Sequence, residues 1–125
     1  MERFPDPLKT EHLEKRTFKL LAPFRYYVRL YDKSEVITVP KGFITDLASI
    51  PRPFWSIIGS PNGRYGRSAV IHDYIYRTPE IKYTRKRADE IFYEGMVYLK
   101  VNFFRRKIMY FAVRIFAWLA WKKRA

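Results

Sequence analysis

A chain of 125 residues, 48% hydrophobic and 18% aromatic, is long enough to bury one core and too apolar to be disordered. It has no cysteine, which excludes disulfides and thiolate chemistry and leaves His, Asp, Glu or Tyr as the ligands of any metal site. The net charge of +13 is uneven: from Lys100 onward there are eight basic residues and no acidic one, so that end should attract a polyanion such as nucleic acid, anionic lipid or an acidic protein surface.

Residues 1–16 are polar and proline-containing, and read as an N-terminal arm ahead of a single domain over 17–125. The opening Met1-Glu-Arg-Phe-Pro-Asp-Pro lacks the apolar core of a signal peptide. Thr17–Ala22 and Arg25–Tyr31 are rich in β-branched and aromatic residues and predict strands. Asp32-Lys33-Ser34 reads as a turn and Glu35–Val39 as a further strand closed by Pro40, which together predict a hairpin. Residues 40–66 carry Pro40, Pro51, Pro53 and Pro61 with Gly42, Gly59, Gly63 and Gly66, and predict a long loop. Its apolar residues, among them Phe43, Ile44, Phe54 and Trp55, need burial, and long anchored connections are often functional.

Helical patterns follow. Gly66–Thr78 predicts a helix that stops before Pro79. Thr84 is an N-cap for a second helix from Arg85 to about Val101, with Ala88, Ile91, Phe92, Gly95, Met96 and Leu99 on one face. A third helix is expected from about Arg105 to Lys122. Strands first and helices after define an α+β fold.

The reactive side chains gather in three short segments: Gly42-Phe-Ile-Thr-Asp46-Leu-Ala-Ser49-Ile-Pro51, Ala69-Val-Ile-His72-Asp73-Tyr-Ile-Tyr76 and Arg87-Ala-Asp89-Glu90. Charged groups are seldom buried without a partner or a task. His72 and Tyr76 are four residues apart on one helix, so they share a face. Together, Asp46, His72, Asp73 and Asp89 could hold a divalent metal through imidazole and carboxylate, or Ser49 or Thr45 could act as a hydroxyl beside a His base. The alternative is a purely structural polar network. In it Asp46 caps a local turn, Asp73 pairs with Arg77 or another arginine, His72 donates to a buried carboxylate, and Asp89 profits from the start of its helix. Spacing favours the network, because no HExxH, GxSxG or Walker pattern is present.

Several of these motifs, spaced and in order, resemble an uncharacterised family, domain of unknown function thirteen fifty-three, met mostly in tailed bacteriophages and prophages. They are Val39-Pro-x-Gly-Phe-x-Thr-Asp46-Leu-Ala-Ser49-Ile-Pro51, Gly66-x-x-Ala69-Val-x-His72-Asp73-Tyr-x-Tyr76 and Ala88-Asp89-x-x-Phe92-x-x-x-Met96. The resemblance runs from about Thr17 to Trp121. It implies a phage-encoded protein made in the host cytoplasm and open to incorporation in the virion, with recurrent polar positions at Asp46, Ser49, His72, Asp73 and Asp89. It brings no reaction with it.

At the C-terminus, Ile108–Trp121 is apolar on nearly every side except at Arg114. Fourteen residues are too few for a spanning helix, which needs about 20. Arg105, Arg106, Lys107, Lys122 and Lys123, with Trp118 and Trp121, form the candidate partner-binding end. Two readings compete: a core helix that also docks on a partner, with Arg114 paired to an acid, and an anchor at an anionic membrane surface. Nucleic-acid binding ranks below both, since no recognised motif accompanies the basic and aromatic residues. The leading expectation is a structural or accessory phage protein, virion- or tail-associated, acting by assembly with other phage proteins. The alternative is a metal-dependent hydrolase built on the His/Asp cluster, with the cell envelope as one candidate target.

Overall fold

The computed structural model describes residues 2–14, 17–29, 31–46 and 65–122. It is an α+β protein, strands first and helices after. The chain divides into two compact units, residues 1–46 and 47–125.

Among the described residues, the first unit holds five strands: β1 (Thr10–Glu14), β2 (Thr17–Leu20), β3 (Phe24–Arg29), β4 (Asp32–Val39) and β5 (Ile44–Thr45). β1, β2 and β5 form one antiparallel sheet in that order, and β3 and β4 form a second, two-stranded one. Alternation sets which side is buried. Phe24, Tyr26 and Val28 of β3 are buried with Ile37 and Val39 of β4, while Arg25, Arg29, Val36 and Thr38 are exposed. The expected hairpin is therefore present, but its turn lies earlier than Asp32-Lys33-Ser34. Arg29 faces Asp32 across the ladder, and Tyr31 adopts φ 61°, so β4 already begins at Asp32. Asp32 Oδ1 instead steadies the start of that strand, accepting from Ser34 N at 2.9 Å and Ser34 Oγ at 2.6 Å.

Two features of this unit exceed what pattern alone predicts. The polar lead-in contains β1, four of whose five residues are exposed, so its order comes from pairing with β2 rather than from an apolar face of its own. Phe4 is also buried, its ring 4.7 Å from Tyr26 and 5.9 Å from Phe24, and Arg3 donates to the Tyr27 and Val28 carbonyls. Likewise, the stretch beginning at Pro40 is not all loop. Gly42, at φ 92°, turns the chain so that its N–H reaches Leu20 O at 2.8 Å, while Leu20 N donates to Phe43 O at 2.9 Å. These bonds add Ile44-Thr45 to the edge of β2.

The second unit contains α1 (Tyr65–Arg77), α2 (Arg85–Tyr98), α3 (Phe103–Phe116) and α4 (Trp118–Lys122). α1 is buried over ten of its 13 residues, which makes it the central helix of the unit, consistent with apolar side chains on nearly every face. α2 starts where expected: the Thr84 side chain accepts from Arg87 N at 3.1 Å. Ala88, Ile91, Phe92, Gly95 and Met96 form its inner face, with Asp89 among them.

The predicted C-terminal helix ends at Lys122 as expected but starts earlier and is broken in two. α3 begins two residues early because Asn102 Oδ1 accepts from Phe104 N at 2.9 Å and Arg105 N at 3.4 Å. It breaks at buried Ala117, whose N–H still reaches Val113 O at 3.1 Å, and α4 then carries Trp121 to the Tyr76 ring of α1, centroids 5.2 Å apart. Arg85, the first residue of α2, donates to the Val113 carbonyl at 2.9 Å and the Arg114 carbonyl at 2.5 Å. It thus places a cation on the carbonyl end of α3.

Replacing Thr84 by alanine removes one cap hydrogen bond and should lower stability by about 1 kcal/mol. Urea denaturation measures it, and an unchanged midpoint would show that the cap contributes nothing.

Candidate functional site

The site forms where three helices of the second unit meet. α1 supplies His72 and Tyr76, one turn apart on the same face; α2 supplies Asp89; α3 supplies Arg114. Asp89 is fully buried and His72 only 1% exposed. His72 Nε2 lies 2.7 Å from Asp89 Oδ1, and the Tyr76 hydroxyl donates to the same oxygen at 2.6 Å. Arg114 Nη1 donates to the other oxygen, Oδ2, at 2.7 Å. The imidazole sits between rings, 4.2 Å from Tyr76 and 4.9 Å from Phe92 by centroid. Close by, Ser68 Oγ donates to Phe92 O at 2.7 Å, a second polar tie between α1 and α2.

The protonation states follow from this geometry. Burial opposes ionisation of Asp89, but the donors His72, Tyr76 and Arg114 outweigh it and hold the carboxyl below the ordinary aspartate range. Burial, then the hydrogen bond to the Asp89 anion, pushes the Tyr76 phenol far up, so its hydroxyl remains a donor. The bond to Asp89 raises the Arg114 guanidinium. An ionised carboxylate can only accept, so His72 Nε2 carries the proton that points at Asp89. The other ring nitrogen, Nδ1, is buried and has no hydrogen-bond partner. A carboxylate that orients an imidazole in this way is the arrangement of an activated base.

Asp73 is buried on α1 next to His72, but its carboxylate takes Arg77 Nε at 2.9 Å, one turn on, as the network reading expected. Asp46 and Thr45 belong to the first unit; Thr45 is fully buried on β5 and Asp46 is half-buried just after it. Ser49 lies outside the described residues, as does Lys123. Among the described residues, no three His, Asp or Glu side chains are arranged to hold a metal ion. At the C-terminal end Arg105 is exposed, whereas Arg106 donates to Tyr93 Oη at 3.2 Å and Val101 O at 3.2 Å. Lys107 lies over the Tyr93 ring at 4.9 Å, and Lys122 over that of Trp118 at 5.7 Å. Trp118 is 50% exposed, while Trp121 is half-buried against Tyr76.

Sequence reasoning placed Asp89 at a helix start, where the macrodipole would account for it. In the structure its inward face accounts for it instead: it occupies a core position between Ala88 and Ile91. Arg114 completes the cluster, and its signal was plain, a lone charge in an apolar helix. Arg85 gave no comparable signal.

A family model described as "Protein of unknown function (DUF1353)" matches residues 18–113. The chain belongs to this family. His72, Tyr76 and Asp89 all fall inside the matched region, and Arg114 falls one residue beyond it. The chain is also similar to "Uncharacterized protein y4jT" of Sinorhizobium fredii (strain NBRC 101917 / NGR234), at 45% identity over 76 residues. That match covers 60% of this chain and 22% of the relative, so the chain spans less than a quarter of the curated relative it resembles. No solved structure matches the chain.

Truncating Asp89 to alanine strands three donors and should cost about 3 kcal/mol or more. The pH signature is specific. A depressed folded-state value means that the Asp89 contribution is complete above the unfolded aspartate value of about 3.9 and is lost as pH falls through the lower folded value. Urea denaturation across that window should show the native protein losing stability more steeply than Asp89→Asn; parallel curves would contradict the ionised assignment.

Proposed function

We propose that this is a phage- or prophage-encoded accessory protein that works by association, through its C-terminal helices, rather than by catalysis. One observation carries the reading: apolar exposure concentrated at that end. Of thirteen exposed large hydrophobic residues among those described, seven lie between Phe103 and Leu119. Phe104 is 73% exposed, Ile115 58% and Phe111 56%. Scattered exposed apolar residues need no explanation, but a concentration of this kind marks an interaction surface. The buried cluster fits the same reading, because Asp89 spends both oxygens on holding α1, α2 and α3 together. The resemblance to proteins of tailed phages and prophages supplies the setting, and the longer relative supports a module that works joined to other chain or other proteins.

The expected behaviour is co-sedimentation with phage particles. In gradients of lysate from infected or induced cells, the native chain should travel with particles, and Phe104→Ser/Phe111→Ser/Ile115→Ser should stay at the top while melting like the native protein. Native protein found wholly at the top would overturn the reading.

A metal-dependent hydrolase is the second reading, and the partnerless Nδ1 of His72 beside an ionised carboxylate is the observation in its favour. Metal analysis of native protein and His72→Ala separates the two. The association reading expects no stoichiometric metal in either and a clear loss of stability in the variant. Stoichiometric zinc, manganese or iron that disappears in His72→Ala would favour the hydrolase instead.

A further inference from the structure

On α3, Phe104, Ile108, Phe111 and Ile115 recur at intervals of four, three and four residues, which sets them in one line along the helix. All but half-buried Ile108 are exposed, and Phe103, Trp118 and Leu119 (53%, 50% and 47% exposed) add further exposed apolar surface on α3 and α4. The inner side is different: Met109, Ala112 and Val113 are its buried residues. α3 is therefore an apolar helix with two apolar faces, one for its own core and one turned outward.

Three further observations describe what covers the outer face. First, it has no acidic residue at all: none occurs after Glu94, whereas eight basic residues do. Second, the exposed apolar positions Phe104, Phe111, Ile115 and Phe116 span roughly 140° of the helix at 100° per residue, broader than the a/d seam of a coiled coil. Third, no helix among the described residues is long and apolar enough to cross a membrane, and α3 at about 1.5 Å per residue is much shorter than a bilayer core.

We infer that the occupant of this face is an anionic lipid surface, on which α3 and α4 lie in the interfacial plane. The inference rests on the reading of this face as an association surface and differs in the partner, a lipid surface in place of a particle protein. A second copy of this chain is disfavoured, because pairing two such faces would set cation against cation with no acid between them. A partner helix would be served by a narrow seam; a broad apolar face of Phe, Ile and Trp accompanied by exposed Arg105 and Lys122 suits the headgroup–acyl boundary, where aromatic rings and cations each find their medium. Lys122, held over Trp118, can reach outward to phosphate while the indole rests below it.

Flotation of the full-length protein with vesicles tests this. The protein should float with phosphatidylglycerol–phosphatidylcholine vesicles at low salt, much less at high salt, and not with phosphatidylcholine alone. Phe111→Ser/Ile115→Ser leaves the charge unchanged and touches only exposed side chains, so it should melt like the native protein yet bind the anionic vesicles about tenfold more weakly. Failure of the native protein to float overturns the inference, as does a variant that floats equally well, which would mean attraction by charge alone. The two readings fail separately. Native protein that sediments with phage particles but ignores vesicles leaves the association reading standing with a protein as its occupant. Native protein that floats but never sediments with particles keeps the lipid surface and removes the phage-assembly setting.

Discussion

An ionised carboxylate inside a helical core is the constraint around which the second unit is built. Leaving Asp89 unsolvated and unpaired would be prohibitive, so the two helices packed against α2 must bring three donors to it. α1 brings two, His72 and Tyr76, and α3 brings Arg114. None of the three can slide by a turn without stranding charge. Apolar packing among Ile71, Ile75, Ile91, Phe92 and Met96 supplies the bulk of the burial, but such side chains tolerate several registers. The carboxylate selects one.

The same cluster shows why an oriented imidazole alone does not define an enzyme. His72 has the carboxylate partner and the defined tautomer that a general base requires, yet it is 1% exposed and lies between two aromatic rings. A groove between α2 and α3, about 440 Å³, is lined by Glu90, Tyr93, Glu94, Lys107 and Tyr110. Its walls combine both signs of charge with two tyrosines, and His72 is not among them.

How much of this was legible depends on the range of the interaction. The Thr84 cap, the inner face of α2 and the Asp73–Arg77 pair are set by residues within a turn of each other, and periodicity reveals them. The Arg114 pairing was legible for another reason, since a single charge in an apolar helix demands an acid. Its partner was not, because nothing in the sequence distinguishes Asp89 from a first-turn carboxylate. β1 and β5 escaped because their order is borrowed: four of five β1 residues are exposed, and β5 is two residues held by β2. The β3–β4 turn was misplaced because Asp32 and Ser34 have turn chemistry but use it inside a strand. For the candidate site, the His72–Asp89 contact joins two of the motifs, while Asp46 belongs to the other compact unit.

Arg114 sits on the helix whose outer side is apolar and whose inner side meets the core, so α3 is loaded from both directions. Pulling it away from the bundle means stripping a counter-ion from a carboxylate that water cannot immediately rehydrate. The helix that is most inviting to outside material is thereby the one least free to detach, and its grip on the bundle weakens only where acid neutralises the carboxylate.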